Sequence, residues 1–390
     1  MMNEAIVIVA PQPWDFEIGS NARNIALEFA KTNKVLYVDP PRDLNGLIKK
    51  PAQKLSKLGL QQVDSTLWIY TPGVIMASIN TIPQKGIYRF LNRQNNKRFG
   101  KELLKTIKQI GFDHIILFND NYMFNGLHLK EILRPKNYLY YLRDYLVVQP
   151  YFKRHGTWVE PELMSKVDAV VANSTYLRDY ASKSNPKSFY VGQGCEVDMF
   201  DEELIKEIPT DLLKIARPIV GYVGFLTAMR LDVDLLIELA TQKPEWNVVL
   251  IGPEDEVFKE SRLHQLSNVH FLGRRNPDEL PAYVKGFDVC INPQAINPLT
   301  IGNYPRKIDE YLAMGKPTVA TATKAMEVFK DYVYLANDAA QFISLVETAL
   351  ADKSIELKAK RIDFARSHTW ENSVKEIYTV INQLNTETTK

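Results

Sequence analysis

Arg306, Lys307 and Glu310 stand close together in the stretch NYPRKIDEYLAMGKPTVAT, residues 303–321. Pro305 opens a helical pattern there, Ile308, Tyr311 and Leu312 share an apolar stripe, and Gly315 with Pro317 closes it. Lys307 and Glu310 are three apart and share a face. The free N–H groups of a first helical turn form a partial positive end. With Arg306 or Lys307 beside them, such a turn suits a diphosphate. Glu310, further along, suits a ribose diol. The same spacing also fits a solvated helix face laced by Arg306–Glu310 and Lys307–Glu310 ion pairs, each worth a few tenths of a kcal/mol.

A second cation follows a glycine turn in GYVGFLTAMRLDVDLL, residues 221–236. Gly224 lets backbone approach a ligand closely, and Arg230, just before the helix that begins at Asp232, suits the same diphosphate. Arg274 lies in another strand-end loop, LGRRNPDEL, and joins the nucleotide-binding candidates. In the amino half, Asp144 ends the run YLYYLRD and is either a general base or a strand-end cap. Trp14, in PQPWDFEIGS, either stacks on a sugar or packs into the core. The pair DVD at 232–234 reads as a cap and first-turn acids, so no metal is expected. The six histidines are scattered without ligand spacing, and His155 falls in a possible site loop.

These residues need elements to position them. With 390 residues, two domains are expected. Continuous apolar runs alternate with helical patterns: AIVIVA, KVLYVD, HIILFN, NYLYYL, DAVVAN and SFYVGQG, then PIVGYVG, NVVLIGP, NVHFLG, FDVCINP, PTVAT and YVYLA. Such runs imply parallel sheets covered on both faces. The reading is therefore α/β, two doubly wound Rossmann-like domains facing a central cleft, with ligands at the carboxyl ends of strands. The expected divisions are 1–200, 201–367, and 368–390 as a helix packing back on the first domain. The charged, proline-bounded stretch 197–217 reads as the linker.

Cys195 and Cys290 match no metal spacing and fit a reducing compartment. The amino-terminal apolar run is too short for a signal peptide or a span and reads as a buried strand. The expected location is cytoplasmic, at or near the inner face of a membrane. Between Arg42 and Lys108 there are 13 Lys/Arg against three acids. That excess suits either an anionic membrane surface or a solvated helix face. Without interleaved stacking aromatics, no nucleic acid partner is expected.

The order GYVGFL…NVVLIGP…NVHFLGRRNPDELPAYVKGFDVCINP…PRKIDEYLAMGKPTVAT resembles the donor half of a bacterial glycosyltransferase of the GT-B fold. It is similar to the large retaining family that builds capsules, lipopolysaccharides and teichuronic-type polymers. The likeness is closest over 215–330 and extends through GSNARNIALEFAKTNKVLYVDPP, YYLRDYL and DAVVANSTYLRDYASK. It implies that Arg230 and Lys307 neutralise the donor diphosphate and that Glu310 holds the ribose. It implies that Gly19 passes close to the reacting groups and that Asp144 reaches toward the transferred sugar. The chain departs from the family at Gly302, where a second glutamate is common, and after Arg230, where a lysine is common. The resemblance implies a metal-independent transferase with a UDP- or GDP-type donor sugar as co-substrate, no cofactor, and a glycan or lipid-linked acceptor. A sugar-nucleotide epimerase of the same architecture and a non-catalytic nucleotide-sugar-binding homologue are the alternatives.

Overall fold

The computed structural model describes residues 3–16, 20–44, 46 and 58–388. The chain divides into two compact units, one of 1–192 with 370–390 and the other of 193–369.

In the first unit the strands are β1 (Ala5–Val9), β2 (Lys34–Val38), β3 (Arg42–Asp43), β4 (Gly59–Gln62), β5 (Leu67–Thr71), β6 (Ile75–Met76), β7 (Ile116–Asp120), β8 (Asn137–Leu142), β9 (Ala169–Ala172) and β10 (Ser188–Tyr190). Eight of them form one sheet in the order β10-β9-β8-β7-β1-β2-β5-β4, parallel except for the edge strand β4. β1 shows why the runs lack polar alternation. Val7 and Val9 enter one buried cluster and Ile6 and Ile8 enter another, so both faces are covered. The carboxyl-terminal helix, Trp370–Thr388, belongs to this unit. Its Trp370, Val374, Ile377, Ile381 and Leu384 recur at helical spacing and pack in the cluster with Ile25 and Phe29. Burying each such side chain fully is worth about 1.5–3 kcal/mol.

The second unit holds β11 (Ile219–Val223), β12 (Asn247–Ile251), β13 (Val269–Gly273), β14 (Val289–Asn292), β15 (Thr318–Thr321) and β16 (Tyr334–Ala336), in the order β13-β12-β11-β14-β15-β16. Every pairing in it is parallel. The stretch expected to link the domains is instead part of this unit. Val197, Phe200 and Leu212 are buried in its core, and Asp211 is fixed by Arg275 at 2.7 Å. Charge and proline read as a linker because surface polarity is visible in sequence, whereas three apolar anchors spread over sixteen residues are not a periodic signal.

Both sheets have a topological switch point, where successive strands are added to opposite sides. In the first unit it lies between β1 and β7, in the second between β11 and β14. Ligands of open parallel sheets sit beyond the strand carboxyl ends at such points. The described loop residues there are 10–16, 20 and 121–122 in the first unit, and 224–231 and 293–306 in the second.

Candidate active site

In the second unit the helix of the opening stretch runs Lys307–Ala313, with Arg306 at its N-cap position and Gly315 leaving it at φ 65°. Lys307 does not pair with Glu310. Its Nζ donates to the Tyr222 hydroxyl at 2.6 Å and lies 4.3 Å from that ring's centroid. Tyr222 is buried on β11, next to the switch point. Arg306 forms no ion pair with Glu310 either, and its Nε is buried without a hydrogen-bond partner. Burial pushes the half-buried Glu310 carboxyl above its ordinary range, opposed by the cations of Arg306 and Lys307. The surface ion-pair version of this helix is thus not what forms. The ammonium is held by a neutral phenol, which leaves its charge available to an anion.

Two glycines open the backbone beside that ammonium. Gly224 has φ 145°, and a Cβ there would lie 2.9 Å from the Tyr222 hydroxyl and 3.0 Å from Lys307 Nζ. Gly252 has φ 149°, and its Cβ would fall 1.9 Å from the Gly224 carbonyl oxygen. The turns after β11 and β12 can therefore pack only as glycines.

Arg230 sits half-buried in the loop after β11 and has no carboxylate partner among the described residues. The 293–300 loop, following β14 across the switch point, fixes its backbone. Ala295 N–H donates to Arg230 O at 2.9 Å, Asn297 Nδ2 to Met229 O at 3.0 Å, and Asp232 N–H to Pro293 O at 2.9 Å. Asp232 Oδ1 accepts from Leu235 N–H at 2.9 Å, so this acid is a helix cap. Arg274 lies two strands from β11, beyond β13, on a cavity of about 660 Å³ that it shares with Asp211, Asn276 and Tyr283. Lys307 lies beside Gly224 and Arg230 is tied to the loop beyond β14, whereas Arg274 follows β13, on the far side of β12 from them.

The first unit carries a different constellation at its switch point. Arg143 Nε donates to Asp120 Oδ1 at 2.8 Å, one terminal nitrogen to Asp144 Oδ2 at 2.6 Å, and the other to Gln12 Oε1 at 3.2 Å. Asp120 is fully buried, and its Oδ2 has no hydrogen-bond partner. Burial pushes the Asp120 carboxyl up, with Arg143 opposing. Burial alone would depress Arg143, but Asp120 and Asp144 outweigh it and hold the guanidinium above its ordinary value. Asp144 is thus paired with Arg143 and does not stand free at the strand end. Sequence reasoning missed Asp120 and Arg143, although Asp120 ends the apolar run IILFND and Arg143 adjoins Asp144.

Trp14 packs edge-on against Tyr37 at 5.1 Å, has Arg23 over its ring at 5.3 Å, and its backbone N–H donates to Asp39 Oδ1 at 2.8 Å. It is a packed residue rather than an open stacking platform. Gly19 lies outside the described residues. His155 is in no loop: it is buried in the Pro150–Lys166 helix and stacks on Tyr88 at 3.7 Å. Beside the switch point is a cavity of about 620 Å³ lined by Asn92, Asn121, Tyr122, Phe124 and Tyr151 among others. The buried Tyr88 also lines it, and its hydroxyl has no hydrogen-bond partner. Amides with aromatic rings suit a ligand that presents hydroxyls and flat apolar faces. No helix among the described residues is long and apolar enough to cross a membrane.

Residues 217–352 match the family described as Glycosyl transferases group 1. A Bacillus subtilis protein named as a teichuronic acid biosynthesis glycosyltransferase, TuaH, is 30% identical over 226 residues, which span 54% of this chain and 56% of that relative. Among solved structures, sucrose-phosphate synthase from Thermosynechococcus elongatus aligns with TM-score 0.69 at 17% identity, covering 99% of this chain and 100% of that one. Anabaena Alr3699/HepE in complex with UDP aligns with TM-score 0.68 at 16% identity, covering 97% and 100%. At such identities the structural likeness establishes the fold and leaves the chemistry to the residues. The stretch that spans the unneutralised lysine and both turn glycines is therefore similar to a glycosyl transferases group 1 domain, in a chain with the α/β fold of GT-B glycosyltransferases.

Proposed function

We propose that the chain is a glycosyltransferase that moves a sugar from a UDP- or GDP-type donor to a glycan or lipid-linked acceptor in surface polysaccharide assembly. The observation that carries the reading is Lys307, whose ammonium lies over a buried phenol beside the open backbone of Gly224. The group 1 match over that region and the UDP complex of a structural neighbour support a nucleotide sugar.

In this reading the diphosphate lies against Lys307, the start of its helix and Arg230, and Glu310 accepts from the ribose hydroxyls. The bond between the anomeric carbon and the diphosphate breaks, and its electron pair stays on the leaving oxygen. Lys307 and Arg230 stabilise that charge without moving. The acceptor oxygen bonds to the anomeric carbon on the same face, and its proton passes to the leaving phosphate. Configuration is retained and no side-chain base is needed, in keeping with an Asp144 already bound to Arg143. The asparagine- and tyrosine-lined cavity of the first unit takes the acceptor. Because fixed cations carry the charge, turnover survives chelation of divalent metals.

The basic 42–108 region is proposed to meet an anionic membrane. On the Lys85–Gln109 helix, Ile87 and Phe90 are exposed among Lys85, Arg89, Arg93, Lys97 and Arg98. The location that follows is the cytoplasmic face. Flotation with vesicles of neutral and of anionic lipid checks this: recovery that ignores anionic lipid content overturns it.

The test of the donor site is a thermal-shift series with UDP, GDP, ADP and CMP, then the matching sugars. One nucleotide stabilises the wild type, and Lys307→Ala and Glu310→Ala lose the shift. A shift that survives both substitutions overturns the assignment. Donor consumed without acceptor, giving an isomer, overturns transfer.

A further inference from the structure

We infer that Asp309 is a positioning residue that ties the first turn of the Lys307–Ala313 helix to both segments by which the chain passes between its units. Occupancy of the donor site is then transmitted to those segments. The inference rests on reading that helix start as the diphosphate site.

Asp309 stands between Lys307 and Glu310 in sequence but points inward and is fully buried. Its Oδ1 accepts from His368 Nδ1 at 2.7 Å, and its Oδ2 accepts from the Cys195 thiol at 3.1 Å. The chain leaves the first unit after Gly192 and returns to it at Trp370. Cys195 and His368 are therefore members of the outgoing and the returning segment. The two segments lie side by side: Cys195 N–H donates to His368 O at 2.9 Å, and Cys195 forms a parallel bridge with Thr369. One carboxylate thus holds a residue of each.

The donors leave Asp309 little choice of position. Leaving a buried carboxylate unpaired is strongly unfavourable, so the helix turn keeps to the place where both contacts form. Around His368 the other neighbours are the Tyr304 hydroxyl, 3.0 Å from Nδ1, and the rings of Phe364 and Phe329. Tyr304 belongs to the loop that leads into the Lys307 helix. A diphosphate drawn to Lys307 and the helix start acts on the same rigid turn that Asp309 anchors from beneath. A second buried ion pair of this unit, Arg361–Asp352 at 2.8 Å, touches neither crossing segment and is a control for ordinary core stabilisation.

Hydrogen–deuterium exchange on the full chain with and without UDP tests this. In the wild type UDP slows exchange in 303–313 and also in 193–196 and 367–370. In Asp309→Asn protection of 303–313 by saturating UDP remains, while protection of the crossing segments falls about fivefold or more. His368→Gln behaves alike and serves if Asp309→Asn does not fold. Asp352→Asn lowers the melting temperature but leaves UDP-induced protection of both crossing segments intact. The inference is overturned if UDP protects 303–313 without slowing the crossing segments. It is equally overturned if Asp352→Asn has the effect of Asp309→Asn. If UDP does not bind the wild type at all, the donor-site reading fails first, and this inference with it.

Discussion

At the switch point of the second unit, Lys307 is held over Tyr222 and Arg230 meets no described carboxylate, so positive charge is left over. At the switch point of the first unit, Arg143 is closed in by Asp120 and Asp144, and its charge is used up within the protein. The two edges share a sheet geometry and differ in neutralisation. An edge with surplus cation is fitted to receive an anion, and it gives up pairing stability to do so. An edge with a satisfied guanidinium is fitted to hold its own shape and to offer directed hydrogen bonds, not net charge.

The largest effect is expected at Lys307. Lys307→Met lowers UDP affinity and turnover by about 100-fold, within the range seen when a charge-stabilising donor is removed. Its melting temperature without ligand changes little, because no partner carboxylate is orphaned. Calorimetric titration with UDP and steady-state rates check both parts, and a stability loss matching the affinity loss would erase the contrast between the edges.

Asp120→Asn shows the opposite pattern. It takes one of two carboxylates from a largely buried guanidinium and is expected to cost the first unit about 3 kcal/mol. UDP affinity stays within twofold of wild type on the same order-of-magnitude reasoning for sites without shared partners. Denaturant unfolding beside UDP titration checks this; unchanged stability would mean that Arg143 is not held as described.

Glu160 sharpens the comparison, because it is a fully buried acid of the first unit with no cation paired to it among the described residues. Tyr140 and Tyr180 hydroxyls donate to it at 2.8 and 3.0 Å, yet burial still pushes it up to about 7. Between its ordinary value of 4.5 and about 7 the folded state keeps a proton that the unfolded chain has released. Stability from this group is therefore present below that window and lost as pH rises through it. In Glu160→Gln the loss disappears, so the variant gains on wild type between pH 5 and pH 8 in melting temperature, about one unit beyond the window on its basic side. Parallel curves would show that Glu160 titrates as an ordinary acid.

The smallest effect is expected at Arg23, which lies over Trp14 much as Lys307 lies over Tyr222. Arg23→Met removes a contact worth about 0.5–1 kcal/mol and lowers the melting temperature slightly. UDP affinity is unchanged, since this cation sits at the edge of the other sheet. A fall in UDP binding would break the assignment of the donor to the second unit.

The sequence by itself determined the two parallel sheets, because an unbroken run such as AIVIV or NVVLI must bury both faces and helices must cover them. It also made Arg230, Lys307 and Glu310 legible as candidates, since helix punctuation and charge spacing are local. Only the tertiary structure decided what each charge does. Lys307 could have paired with Glu310 three residues on, and instead meets a phenol 85 positions away. Asp144 read equally as a general base or a strand-end cap until folding set Arg143 between it and Asp120. Asp309 carries no local signal in the sequence, yet Cys195 and His368 converge on it in the fold. Partners distant in sequence compete with local ones, and burial, which removes water as the alternative partner, decides between them.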